Sequence, residues 1–190
     1  VNGFLLKYKK KDASLADVGS GVGTISLIIA YKNKKIELTA IENNNQYFEL
    51  AKENISNNNL KNQIKLLNCD IFKINKTLVN TFDIVVSNPP FYKEYKNRSK
   101  NKLENYAKVM KNLEQWINSS VKLLNSKGII FLIITSEILD LVLHHLREKT
   151  GSFKIFPFWP NAKKSSKRII LVARKGGASS TELMSGLKLY

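Results

Sequence analysis

Cysteine occurs once in the 190 residues, at Cys69, so an internal disulfide is excluded and no cysteine pair marks a zinc site. Cys69 itself reads as a small buried residue rather than a nucleophile, because no base accompanies it locally. Histidine is almost as scarce. His144 and His145 sit side by side in a helical stretch with no third ligand at useful spacing, so no metal is expected. No stretch is long and apolar enough to span a membrane and no signal peptide opens the chain, which makes a cytoplasmic protein the simplest reading. Acidic residues are few, 15 against 31 Lys plus Arg, giving a formal net charge of +16. That excess favours a polyanionic partner, nucleic acid first; the alternative is compositional drift in a chain also rich in Asn and Ile.

What is present suffices for one folded domain over residues 1–190, with 43% hydrophobic residues and no internal repeat. Strands are expected at 14–18, 36–41, 64–68, 82–86, 128–134, 153–158 and 168–173. Helices are expected at 24–30 (buried), 45–57, 103–125 and 136–148, the last capped by Ser136. In the second helix Tyr47, Phe48, Leu50, Ala51 and Ile55 are expected to face the sheet. Alternating strands and helices imply an α/β fold with a mostly parallel sheet, and the last two strands read as an antiparallel hairpin. Residues 1–13 read as the tail of a longer segment. The chain opens on Val1, so upstream residues are expected to be missing.

Two stretches carry chemistry. The first is Gly19-Ser20-Gly21-Val22-Gly23, which runs from a strand into a helix. Glycines there let the backbone turn tightly and approach a ligand, and a helix N-terminus presents free N–H groups. The alternative is a packing turn. Glu42 ends the second strand, where a carboxylate can accept hydrogen bonds from ribose hydroxyls. Asp70, after the third strand, could bind an adenine amino group or simply cap a turn.

The second stretch is Ser87-Asn88-Pro89-Pro90-Phe91. Two prolines stop the strand and stiffen the turn at the sheet's carboxyl edge, where open α/β sheets keep their sites. The Asn88 side-chain oxygen and the Pro89 carbonyl could accept from a flat amino group, and Phe91 could stack on the ring that carries it. An ordinary strand-end loop is the alternative. Lys93, Lys96, Arg98 and Lys100 follow in a basic loop suited to phosphates or merely solvated, and Lys163, Lys164, Lys167 and Arg168 make the hairpin turn strongly basic.

Taken in order, Asp17-Val18-Gly19-Ser20-Gly21-Val22-Gly23, Glu42, Asp70 and Asn88-Pro89-Pro90-Phe91 resemble the motifs of class I S-adenosylmethionine-dependent methyltransferases with their Rossmann-like seven-stranded sheet. The ending, Phe156-Pro157-Phe158-Trp159-Pro160 with residues 168–176, resembles the bacterial tRNA(Val) adenine-37 N6-methyltransferases. The resemblance implies S-adenosylmethionine as cofactor, S-adenosylhomocysteine as product, RNA (tRNA first) as partner, and a monomer. It implies a cofactor site of Asp17, Gly19, Ser20, Gly21, Gly23, Glu42, Asn43, Asp70, Ile71 and Asn88, and a catalytic turn of Asn88, Pro89, Pro90 and Phe91. The family usually carries an upstream acid where Asn2 stands here. The same turn also suits an rRNA guanine N2-methyltransferase, a protein glutamine N5-methyltransferase, or a non-catalytic RNA-binding module that keeps the fold.

Overall fold

The apolar runs at 14–18 and 82–87 form central strands because both their faces are covered. The computed structural model describes residues 13–90 and 102–190, with the side chains of 102–109 left aside. Strand β1 (Ser14–Val18) lies between β2 (Glu37–Glu42) and β4 (Phe82–Ser87), parallel to both. The order continues β3 (Ile64–Asn68) outside β2 and β5 (Leu124–Thr135) outside β4. The order in which successive strands are added thus switches to the other side of β1 at β4, which opens a crevice at the carboxyl ends of these two parallel strands. Beyond β5 the hairpin of β6 (Thr150–Trp159) and β7 (Arg168–Lys175) is antiparallel, with β7 inserted next to β5.

Helices α1 (Thr24–Lys32) and α2 (Asn45–Asn57) go with one face of the sheet, where Leu15, Leu38, Ile84, Val86, Phe131 and Ile170 form one core. Helices α3 (Lys102–Leu123) and α4 (Leu139–Arg147) cover the other, around Ala16, Val85, Ile117, Ile130, Leu132 and Leu171. Adjacent residues of β4 therefore feed different cores, as the strand period of two requires.

The seven expected strands are present, with some differences from expectation in bounds, faces and added strands. The sheet gains β8 (Glu182–Leu183) and β9 (Leu187–Lys188), both parallel to β6, which cover its outer edge. Strand β5 starts at Leu124, ahead of Gly128, because Leu124 already pairs with Phe82 before a register shift carries Ile84 to Ile129. Ser136 does not cap α4: it opens a 3-10 turn (Ser136–Ile138), and its hydroxyl donates instead to the Ser166 carbonyl at 2.8 Å. Finally, Ile28 and Tyr31 of α1 and Tyr47 and Leu50 of α2 are exposed, so α1 is only half buried and α2 sends just Ala51 and Ile55 fully inward.

Candidate active site

The glycine loop folds back on the end of β2. The N–H groups of Gly19 and Ser20 both donate to the Ile41 carbonyl (2.9 and 3.0 Å), and that of Gly23 donates to the Ser20 carbonyl (2.9 Å). The Gly21 N–H donates to Glu42 Oε2 at 2.8 Å. These four donors are thus engaged within the protein. What the glycines supply is space. At Gly21, with φ +55°, an added Cβ would meet nothing within 4 Å. At Gly19, with φ +70°, it would lie 2.9 Å from two ring carbons of Trp116.

Glu42 is buried, and its other oxygen, Oε1, accepts from the Asn44 N–H at 2.8 Å. Its carboxylate therefore pins the glycine loop to the start of α2, while each oxygen keeps acceptor capacity for a ligand. Asn44 is the N-cap of α2, accepting from the N–H groups of Gln46 and Tyr47 at 3.0 and 3.1 Å, a cap worth about 1 kcal/mol.

Together these groups bound a cavity of about 560 Å³. Gly19, Gly21, Glu42, Asn43, Ile71 and Asn88, all expected at the site, lie on its wall together with Pro90. Trp116, Phe72, Tyr47, Asn44, Cys69 and Ile41 also line it and were not foreseen as site residues. The sequence pattern puts Tyr47 towards the sheet and Cys69 in the core, whereas both line the cavity. The size suits a nucleoside-bearing ligand.

Several expected residues sit elsewhere. Asp70 is not on the wall; its Oδ1 accepts from the Phe72 N–H at 2.9 Å and caps the 3-10 turn Ile71–Lys73, the second of the two roles the sequence allowed. Ser20, Gly23 and Pro89 lie behind the wall, all three buried. Phe91, Lys93, Lys96, Arg98 and Lys100 fall outside the described residues. Lys163, Lys164, Lys167 and Arg168 are exposed at the β6–β7 turn. Because Arg168 pairs with Thr135 at the end of β5, this turn stands at the same carboxyl edge as Asn88. Among the described residues no group of three His, Cys, Asp or Glu side chains gathers to hold a metal.

Asp17 lies beneath the loop, 1% exposed, and accepts from the Ser26 hydroxyl at 2.6 Å. Burial pushes its carboxyl up from 3.8 to about 6, against the Ser26 hydrogen bonds and with a smaller push from Glu42. Between those values the folded state holds a proton that the unfolded state has released. Stability therefore falls as pH rises through that window and is level above it. Asp17→Asn keeps the acceptor for Ser26 but cannot ionise. Urea unfolding should show the variant gaining about 3 kcal/mol on the wild type between about pH 4 and about pH 7. A difference independent of pH would refute the assignment.

Three buried polar atoms at this corner have no hydrogen-bond partner among the described residues: Asp17 Oδ1, Ser20 Oγ and Asn88 Oδ1. Leaving such an atom unpaired costs about 1–3 kcal/mol, so the corner is built to receive donors. Among the described residues no helix is long and apolar enough to cross a membrane.

The fold recurs in solved structures. A predicted O-methyltransferase from Agrobacterium tumefaciens superposes with a TM-score of 0.77 at 20% identity, covering 94% of this chain and 81% of that one. TrmN from Thermus thermophilus gives 0.65 at 16% identity, covering 90% and 46%. Among curated proteins, the tRNA1(Val) (adenine(37)-N6)-methyltransferase of Histophilus somni (strain 129Pt) is 32% identical over 128 residues, 65% of this chain and 53% of its own length. That of Flavobacterium psychrophilum is 28% identical over 123 residues, 64% and 52%. The chain spans about half the length of these curated relatives. The family model for the methyltransferase small domain matches residues 3–155, so with the fold and cavity above the chain belongs to that family of class I S-adenosylmethionine-dependent methyltransferases.

Proposed function

We propose that the protein transfers a methyl group from S-adenosylmethionine to the exocyclic N6 amino group of an adenine in RNA, with position 37 of tRNA(Val) the foremost target. The observation that carries this reading is Asn88 Oδ1, a buried acceptor with no partner among the described residues, on the cavity wall beside the two prolines. The names of the curated relatives support the adenine and the tRNA.

The residues present fit the cofactor. The free acceptor capacity of Glu42 suits two ribose hydroxyls, and Ile71 and the Phe72 ring, with Asn43 and Asp70 nearby, frame a slot for the adenine ring. The bare backbone at Gly21 leaves room for the rest of the molecule, with Gly19, Ser20, Gly23 and Asp17 holding the loop from below. When bound, S-adenosylmethionine supplies an electrophilic methyl on a sulfonium and leaves as S-adenosylhomocysteine.

The acceptor amine is a weak nucleophile because its lone pair is delocalised into the ring. Asn88 Oδ1 and the Pro89 carbonyl accept its two hydrogens, favour the pyramidal nitrogen of the transition state and aim the lone pair at the methyl. This is positioning plus electrostatics. The methylated nitrogen then sheds its extra proton to water, so no strong base is needed. Reaching the turn requires the base to leave its stack, and Phe91 is the proposed surface that receives it.

The test is to incubate the protein with labelled S-adenosylmethionine and total tRNA, digest, and identify the labelled nucleoside. N6-methyladenosine is expected; N2-methylguanosine or labelled protein would overturn the reading. The basic hairpin turn gives a separate prediction. Replacing Lys163, Lys164 and Lys167 with Glu should weaken tRNA binding and reduce the slope of log K against log salt by about 2–3. An unchanged slope would remove that turn from the interface.

A further inference from the structure

Trp116 joins parts of the site that the chain keeps far apart. Its indole N–H donates to Ser87 Oγ at 3.0 Å, and that hydroxyl donates in turn to the Val18 carbonyl at 2.8 Å. Ser87 is fully buried and immediately precedes Asn88, while Val18 immediately precedes Gly19, and the two are paired across β1 and β4. The ring of Trp116 fills the space that a Cβ at Gly19 would need, and it makes a T-shaped contact with Phe72, ring centroids 6.1 Å apart. One side chain from α3 therefore touches the glycine loop, the strand end that carries Asn88, and the turn that carries Phe72.

We infer that Trp116 is a positioning residue that sets the separation between the cofactor loop and the methyl-acceptor turn through its hydrogen bond to Ser87, an inference that rests on the site reading above. Shape alone would need only an apolar ring here. The buried N–H and hydroxyl add a directional link, and a directional link fixes a distance where packing alone leaves slack. Methyl transfer needs that distance, because near-attack geometry fails with displacements of about 1 Å. Cofactor binding does not need it to the same degree, since its contacts lie on the loop side.

The test uses Trp116→Phe, which keeps a ring against Gly19 and Phe72 but removes the donor, and Ser87→Ala, which removes the relay from the other end. Each should lower kcat by about 10- to 100-fold, Ser87→Ala, which is off the cavity wall, should keep cofactor affinity within about threefold, and the double variant should lose no more kcat than about the larger single loss. A second readout needs no acceptor. In isotopically labelled protein, S-adenosylhomocysteine should shift the Asn88 side-chain amide resonances in the wild type and should shift them less in either variant. Unchanged kcat, Ser87→Ala affinity falling in step with kcat, or an unchanged Asn88 response would overturn the inference. If the labelled nucleoside proves to be something other than N6-methyladenosine, the function fails but the relay is still decided, by the Asn88 response and by the variant-to-wild-type ratio on the true acceptor.

Discussion

Asn88→Ala is expected to stop methyl transfer while leaving the cofactor bound. The side-chain oxygen sits on the cavity wall without a partner among the described residues, so none of these depends on it. In the transition state it would accept a hydrogen from a nitrogen gaining positive charge, and an oriented polar group in such a position is worth about 2–4 kcal/mol. Turnover should therefore fall by roughly 30- to 1,000-fold. Stability should move the other way: removing a buried unpaired acceptor leaves the protein unchanged or stabilised by about 1 kcal/mol. Single-turnover rates, cofactor titration and thermal unfolding together test the assignment. A rate within about threefold of wild type would show that Asn88 does not touch the reacting amine.

Gly19→Ala is expected to act first on folding. The residue holds φ +70°, and the new methyl would lie 2.9 Å from two ring atoms of Trp116, a side chain fixed by its bond to Ser87 and by Phe72. The left-handed backbone costs an alanine about 1–2 kcal/mol, and overpacking adds about 1–3 kcal/mol. The total, about 2–5 kcal/mol, is a large share of a domain's stability. Gly21→Ala makes the contrast. It meets no atom within 4 Å, so it should cost only the backbone term but put a methyl where the ligand goes. Equal unfolding midpoints for the two variants would contradict the crowding at Gly19.

The elements legible in the sequence were those whose pattern is local. Strands β1 and β4 are short and mostly apolar, each interrupted by a single buried Asp (Asp17 and Asp83), and burial on both faces is the condition that produces such runs. The glycine loop and Glu42 were found because a strand, a tight turn and a helix follow one another within a few residues. The contributions that escaped are those made across the chain. Trp116 stands 29 residues from Ser87, and in its own helix it reads only as one more core aromatic. Tyr47 and Leu50 follow the apolar spacing of α2, yet they are exposed because α2 lies at the rim of the cavity and the sheet reaches only Ala51 and Ile55. Strands β8 and β9 are two residues long, too short to carry a period, and they exist because β6 leaves an open edge beside them. Asp70 was ambiguous for a physical reason, since a carboxylate just before a turn serves equally as a cap and as a ligand group.

The closed hydrogen bonding of the glycine loop decides which adenosines the cavity can keep. A triphosphate needs a cradle of free N–H groups or a lysine, and Gly19, Ser20, Gly21 and Gly23 have spent theirs while, among the described residues, no Lys or Arg lines the wall. The charge that does face the ligand is the Glu42 carboxylate, which repels anions and attracts a sulfonium. An adenosine with a positive 5′ substituent is thus expected to bind in preference to ATP, and the discrimination would be made by what the loop withholds.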